Sequence, residues 1–455
     1  MTRRRAPKPA SRPEGAGLWQ RIRLFRQDMF SSQPERLYRA WMAEVRGPLY
    51  RSFLVNDPAL VKRVLLEEPE KFPKSAIIHD TLRGLLGDSV FLSNGETWKR
   101  QRRILDPAFE QGAVKAFPAM RDAGAAAVVR LGKGGMVEME AVASMLTADV
   151  IFRTLFSIPI TSEVATRVFQ AFRRYQRAQP LWNIPGLLRL PRWAPRFHSK
   201  AARESAAEIR GLLAGLVAAR AAEIIEGRAP DDLATRIMTL PDPETGETFT
   251  PAEMVDQVAI FFLAGHETSA SALGWALYLL AANPDIQARA AAEAMAAPDL
   301  GDLSGMPFIK AVFRETLRLF PPVPMMVREA AEACEFRGRN VPKGSLAILS
   351  PWHLHRHRRL WDHPDDFDPD RWQTQNGKAC KRNAYIPFSA GPRVCSGAGF
   401  AMIEGVLLLS MLLAAYRFEA GPEPVPVAHL TVRAKDGINL RLVPRDGSSP
   451  EHTDA

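Results

Sequence analysis

Phe388-Ser389-Ala390-Gly391-Pro392-Arg393-Val394-Cys395-Ser396-Gly397 is the stretch whose reading decides the fold of this chain. Cys395 stands between Gly391 and Gly397, with Arg393 two residues before it and an apolar helical run, residues 398–416, directly after it. Glycines tolerate positive φ and, lacking Cβ, let the backbone pass close to a large flat group. A cysteine just ahead of a helix start is biased toward thiolate by the positive end of that helix. A thiolate so placed is a metal ligand or a nucleophile. Taken alone, Cys395 could equally be a small buried apolar residue, as most free cysteines are.

Working outward, Glu315 and Arg318 stand three apart on a helix ended by Pro321-Pro322, a spacing that by itself describes a surface ion pair worth under about 1 kcal/mol. A longer helix opens at Pro251 behind an N-cap at Thr250 and stops at Asn283-Pro284. Within it, Ala264-Gly265-His266-Glu267-Thr268-Ser269 breaks the apolar run. The glycine alone costs roughly 1 kcal/mol, so a compensation is expected, either a kink met by a neighbouring helix or a chemical site. Nearer the N-terminus, Trp98 and Arg102 lie four apart on one helix face, with Lys99 and Arg103 as a second pair. A solvated basic face would show the same pattern.

The ten-residue pattern Phe-x-x-Gly-x-Arg-x-Cys-x-Gly resembles the haem-ligand loop of the cytochrome P450 family. Ala-Gly-x-Glu-Thr-Ser, Trp-x-x-x-Arg, Glu-x-x-Arg and the meander Phe367-Asp368-Pro369-Asp370-Arg371-Trp372 fall in that family's order over about residues 30–445. The resemblance implies a mostly α protein with small β-sheets (α+β), one haem domain over residues 27–445, and haem b between the long helix and the cysteine loop. By it, Cys395 is the axial thiolate of the iron. Arg393, Trp98, Arg102 and Arg328 meet the propionates, while Phe388 and Gly397 flank the thiolate side. Oxygen activation falls to Ala264, Gly265, Glu267 and Thr268: Gly265 opening the helix over the iron, Thr268 bonding dioxygen or its water, Glu267 relaying protons. His266 receives no role. Glu315, Arg318 and Arg371 become a buried structural lock behind the thiolate loop. Phe261, Phe262, Val323, Met325, Met326, Leu430 and Val432 form an apolar substrate pocket.

The remaining segments are read more coarsely. Residues 49–55 form a strand, residues 58–67 a short helix, and residues 76–92, which show no clear period, a loop. Residues 114–226 are helical, interrupted at 179–195. Trp182, Leu187, Leu188, Leu190, Trp193 and Phe197 there mix with Arg189, Arg192 and Arg196, which suits a lid over an apolar channel or a segment touching a membrane surface. A hairpin centred on Asp436-Gly437 closes the fold.

Composition sets the outer bounds. The 455 residues are 46% apolar, ordinary for a chain that buries a large core. Cys334, Cys380 and Cys395 make no disulfide framework and no zinc pattern, which fits a reducing compartment. Residues 1–26 carry eight basic residues (Arg3, Arg4, Arg5, Lys8, Arg12, Arg21, Arg23, Arg26) against Glu14, so +7 of the formal +10 sits in this segment. The body is then nearly balanced, and no nucleic-acid partner is expected. Residues 1–26 read as a disordered basic arm and residues 446–455 as a disordered tail. No signal-peptide core is present, residues 257–282 carry His266 and Glu267, and residues 407–416 are too short to span. The expectation is a cytoplasmic protein with no transmembrane anchor.

Together these readings imply haem-thiolate monooxygenation, one atom of O2 entering an apolar small molecule, with fatty-acid or terpenoid hydroxylation foremost. Electrons would come from separate proteins, a ferredoxin and ferredoxin reductase or a flavodoxin-type donor. Lys99, Arg100, Arg103, Arg356, Arg358, Arg359, Lys378, Lys381 and Arg382 would greet an acidic donor on the thiolate side. Arg46, Tyr50 and Arg51 offer a carboxylate anchor, although surface arginines need no such role. Two alternatives are a peroxide-driven haem-thiolate enzyme, against which Glu267 and Thr268 argue, and a non-catalytic haem protein that binds ligands or gases.

Overall fold

Residues 5–47, 51–178, 199–297 and 303–445 are described by a computed structural model of the chain. Tyr50, the expected lid around Trp182 to Phe197 and the C-terminal tail lie outside these residues. In chain order come α1 (Leu18–Gln27), the strands β1 (Met42–Arg46) and β2 (Arg51–Val55), α2 (Ala76–Leu86), α3 (Gly95–Lys115), α4 (Phe117–Leu131) and β3 (Gly135–Glu138). α5 (Met139–Phe156), α6 (Glu163–Ala178), α7 (Lys200–Ile225), α8 (Pro251–Ala282), α9 (Pro284–Ala296) and α10 (Pro307–Leu319) follow. The chain continues with β4 (Met326–Glu329), β5 (Cys334–Phe336), β6 (Arg339–Val341), β7 (Leu346–Leu349), α11 (Gln375–Asn383) and α12 (Ala398–Ala415). It ends in β8 (Tyr416–Ala420), β9 (Pro426–Ala428), β10 (Val432–Ala434) and β11 (Asn439–Pro444). The mostly helical body with small sheets is the expected one.

α8 is the axis of the molecule. It opens in a complete capping box, Thr250 bonding Glu253 N–H and Glu253 returning to Thr250 N–H, with Pro251 in the first turn. It packs against α5, α7, α10 and α12. The main sheet runs β1-β2-β7-β4, with β2 and β7 parallel and the outer pairs antiparallel.

Four expectations change. Residues 76–86 are helical: Ser75 caps Ile77 N–H, and Leu82, Leu85 and Leu86 are buried at helical spacing among polar residues that hide the period. The hairpin at Asp436-Gly437 does not form, because β11 pairs with β8 and β3 while β10 pairs with β9. Gly437 (φ 76°) turns the chain between them, and Glu138 accepts Ile438 N–H. The basic arm is packed: Ala6 is buried and donates to Asp365 O at 2.8 Å, Lys8 meets Glu35 at 3.1 Å, and Ser11 meets Glu35 at 2.6 Å. Finally, α12 spans 18 residues, long and apolar enough to cross a membrane, yet most of it is buried against α4, α8, α9 and α10. It is a core helix.

Candidate functional site

The site begins midway along α8, which packs on α12, the helix that follows the cysteine loop. α8 is buried along most of its length, but Phe261, Ala264, Gly265 and Thr268 keep accessible surface. Their spacing is one helical stripe, so a single line of α8 looks into open space between packed elements. Thr268 Oγ1 donates to Ala264 O at 2.6 Å. The helix runs unbroken through Gly265, which therefore opens no turn. A Cβ there would come within 2.6 Å of Ile151 Cδ1, so the glycine lets α5 approach closely.

Neighbours of Thr268 point elsewhere. His266 is buried, its Nδ1 lies 2.8 Å from Phe262 O, and burial pushes its pKa down to about 4. Glu267 turns toward β10, ion-paired with Arg433 and accepting from Thr431 at 3.4 Å. Arg433 has 43% of its side chain exposed, so this pair links the buried acid to solvent. Ser269 Oγ donates to Glu404 of α12 at 2.5 Å. Burial raises Glu404 to about 8, and its other carboxyl oxygen has no partner.

The cysteine loop is fixed on several sides. Cys395 N–H donates to Phe388 O at 2.9 Å, and Ala398 N–H returns to Cys395 O at 3.2 Å. The residue is accessible. Protein nonetheless surrounds the sulfur: burial raises the Cys395 thiol, with the Gly397 amide pulling it down to a lesser degree. The helix start alone therefore does not favour the thiolate, and a bound metal ion would. Gly391 (φ 69°) serves the protein itself, since a Cβ there would meet Leu65 O at 2.1 Å, whereas a Cβ at Gly397 would only touch Cys395 Sγ at 3.8 Å.

Beside the loop lies an unbalanced cationic cluster. Arg393 stacks over the buried Trp98 ring at 5.2 Å and donates to Pro69 O and Phe72 O at 2.9 and 3.0 Å. Arg328 bonds Val327 O at 3.1 Å, and Lys74 reaches Val90 O and Ser93 O at 2.6 and 3.1 Å. Among the described residues none of the three forms an ion pair, and the buried Arg393 Nε has no partner. Burial, and then the neighbouring cations, push Arg328 down to about 10 and Lys74 down to about 6. Such a group is deficient in one thing, a buried anion. The carboxylates of a bound cofactor would satisfy this donor set, and Cys395, two residues from Arg393, would supply a thiol beside them. Arg102 plays a different part, bonding Val394 O at 2.6 Å and Asp106 at 2.8 Å, while Ser396 also meets Asp106 at 3.0 Å. It clamps the cysteine loop to α3.

Behind the loop, Glu315 takes both ends of Arg318 at 2.8 and 2.9 Å and Arg371 at 3.1 Å, with all three side chains essentially buried. Arg318 bonds His355 O, Pro364 O and Asp366 O, and Arg371 bonds Asp362 O and His363 O. The spacing alone describes a surface pair, but the three residues form the expected buried lock, which gathers the meander carbonyls.

Of the expected pocket, Phe261, Val323, Met325, Met326 and Leu430 keep accessible surface. Phe262 is turned into the contact of α8 with α5 and α6, against Phe152 and Phe172, and Met326 packs on the main sheet core. Val432 is fully buried, its carbonyl taken by Ser271. Two other groups lie differently from expectation. Arg356 is buried on Leu319 O and Asp365, so it offers no charge to a partner. Arg100 and Arg103 are bound to Glu253 and Asp242, and Arg46 to Glu44.

The family model described as "Cytochrome P450" matches residues 19–439. Cyclooctat-9-en-7-ol 5-monooxygenase of Streptomyces melanosporofaciens is 32% identical over 85% of this chain and 83% of its own length. Human cytochrome P450 4A11 is 31% identical over 88% of this chain and 80% of its own. The protein LUTEIN DEFICIENT 5 of Arabidopsis thaliana is 28% identical over 88% and 71%. Among solved structures, the heme domain of a cytochrome P450DA mutant superposes with a TM-score of 0.79 at 25% identity, covering 98% of both chains.

Proposed function

This chain belongs to the cytochrome P450 family and is a haem-thiolate monooxygenase, and on that premise we propose that it hydroxylates a terpenoid or other long apolar substrate. The supporting observation is accessible Cys395 two residues from Arg393 of the anion-deficient cluster with Lys74 and Arg328, on a loop whose following helix, α12, packs on α8, the helix bearing Thr268. We take the cofactor to be haem b. Bound there, it supplies dioxygen activation: with two electrons and two protons, one oxygen atom enters the substrate and the other leaves as water.

The chain's own part is positioning and proton supply. Arg393, Arg328 and Lys74 would hold the cofactor's carboxylates, and Arg102 with the Glu315 lock fixes the loop that carries Cys395. Thr268 Oγ1, on the accessible stripe, presents a proton that rests on Ala264 O in this structure. Glu267 sits one residue away, and its pairing with part-exposed Arg433 makes a route by which protons enter from solvent. Phe261, Ala264, Val323, Met325 and Leu430 supply apolar surface that excludes water and accepts varied shapes.

Arg46, one of the three residues expected to anchor a carboxylate, is ion-paired with Glu44, which favours an apolar substrate without an anchored carboxylate over a fatty acid. The relative named cyclooctat-9-en-7-ol 5-monooxygenase acts on an alkenol by its name, which points the same way. Electron delivery by a small acidic ferredoxin is supported by the exposed cations Arg359, Lys378, Lys381 and Arg382, whereas Lys99 is paired with Glu96 at 2.8 Å.

The test is an optical titration of the purified ferric protein with terpenoid alcohols and with long-chain fatty acids, followed by product analysis with a ferredoxin couple. Saturable spin-state change and an oxygenated terpenoid product are expected, with Thr268→Ala consuming dioxygen but yielding much less product. Turnover of fatty acids alone would overturn the substrate assignment, and a purified protein without haem would overturn the whole reading.

A further inference from the structure

Trp19 lies on the surface with 82% of its area exposed, an unusual position for the largest apolar side chain. It belongs to α1, whose described side chains are all at least partly exposed. Arg23 and Arg26 follow Trp19 at i+4 and i+7, so the ring and two exposed guanidinium groups share one face of the helix. Among the described residues neither arginine is ion-paired, and Glu14, the only acid in residues 1–26, is taken by Arg36 at 3.5 Å. Arg21 is tied to Ala16 O at 2.8 Å, which braces the first turn.

We propose that this face of α1 docks on the headgroup layer of an anionic membrane. An aromatic ring flanked by cations is the pattern of a helix lying in a membrane interface: the ring enters the headgroup level and the guanidinium groups meet phosphate. A protein partner would more naturally meet an apolar centre depleted of charge. The unpaired guanidinium groups of Arg23 and Arg26 match the negative surface of an anionic bilayer.

Placement gives the contact a use. Just beyond α1, Met29 N–H donates to Ala428 O at 3.0 Å, joining the helix to β9 and to the turn that carries Leu430, itself 46% exposed. Docking through α1 would therefore bring the Leu430 edge of the apolar pocket toward the bilayer, where apolar substrates collect. This last step rests on the proposed function, whereas the docking itself does not.

The experiment is co-sedimentation of the full-length haem protein with phosphatidylcholine vesicles, with and without phosphatidylglycerol, at low and high salt. Binding is expected with phosphatidylglycerol only, falling as salt rises. Arg23→Gln with Arg26→Gln should weaken it roughly 30-fold, at about 1 kcal/mol per basic residue near an anionic surface. Trp19→Ala should weaken it further, and an unchanged Soret spectrum would show that the site is intact. Equal binding to both vesicle types, or undiminished binding by the triple variant, would overturn the proposal. So would a triple variant that binds vesicles normally but loses affinity for its electron donor, which would assign the face to a protein.

Discussion

Ile386 donates its backbone N–H to Nε2 of His355 at 2.8 Å, while the carbonyl of His355 is held by Arg318 at 2.8 Å. The histidine thus joins the Glu315 lock to the strand of chain that leads through Phe388 to Cys395.

The acceptor role requires a neutral ring. Burial, and then the Arg318 charge, lower the His355 pKa from 6.5 to about 3. A base whose folded pKa is depressed contributes fully above its ordinary pKa and loses that contribution as pH falls toward the folded value. His353, His266 and His357 are lowered in the same direction, so the diagnostic quantity is a difference between proteins. His355→Leu should lose about 1–3 kcal/mol at neutral pH. Between about pH 6.5 and 4 its stability should fall less steeply than wild type, by up to ~1.4 kcal/mol per pH unit. Denaturant unfolding across that range checks it, and parallel slopes would refute the linkage.

The cationic cluster predicts retention of the cofactor independently of turnover. Arg393 and Arg328 would each form charge-assisted hydrogen bonds to propionate, worth about 1.5–3 kcal/mol apiece. Arg393→Leu or Arg328→Leu should therefore speed haem transfer to an acceptor apoprotein by about ten- to a hundredfold. Removing buried cations should at the same time relieve the apoprotein, raising its unfolding midpoint. A variant that keeps haem as tightly as wild type would show that the cluster serves another anion.

The N-terminal segment is a strap on the same scaffold. Ala6 bonds Asp365 O, and Lys8 lies over the Tyr38 ring at 4.4 Å. Asp365 also receives Arg356, and Asp366 O receives Arg318 at 3.0 Å. Deleting residues 1–12 should lower Tm by several degrees, at 2–4 °C or somewhat less per kcal/mol in a chain of this size. The loss should come with faster haem release, because the carbonyls gathered by the lock are uncovered. An unchanged Tm would return the segment to the solvated arm its composition suggests.

How much of this could be read in advance depends on whether a residue's partner lies close in a pattern. Cys395, Arg393, Thr268 and the Glu315 lock were legible because fixed spacings tie each to its neighbours. Helix phase was harder: Phe261 and Phe262 are adjacent, and only packing against Phe152 and Phe172 shows which one turns into the core. Lys74 escaped notice because no motif surrounds it; a lysine between Pro73 and Ser75 reads as a turn until Trp98 and Arg328 fold against it. Charges also mislead without depth, since Arg356 looks like its neighbour Arg358 in sequence yet is fully buried.

Glu404 supplies the sharpest of these tests, because its protonation state and its neighbour can be separated. Its carboxyl is raised from 4.5 to about 8 by burial, with Ser269 opposing to a lesser degree, so it is mostly protonated at neutral pH. An acid with a raised folded pKa contributes its stability below the ordinary value and loses it as pH climbs through the folded value. Glutamine copies the protonated acid in shape, can accept from Ser269, and does not ionise. Glu404→Gln should therefore gain on wild type by up to ~1.4 kcal/mol per pH unit between about pH 4.5 and 8, where the unfolded glutamate ionises while the buried one stays protonated, so that its stability relative to wild type is clearly higher at pH 9 than at pH 6. Ser269→Ala should cost about 1 kcal/mol at either pH. Paired urea curves at pH 6 and 9 decide the matter: a glutamine variant that is equally destabilised at both would mean that Glu404 is held as a carboxylate, and that the contact with Ser269 is a charge-assisted hydrogen bond to an anion.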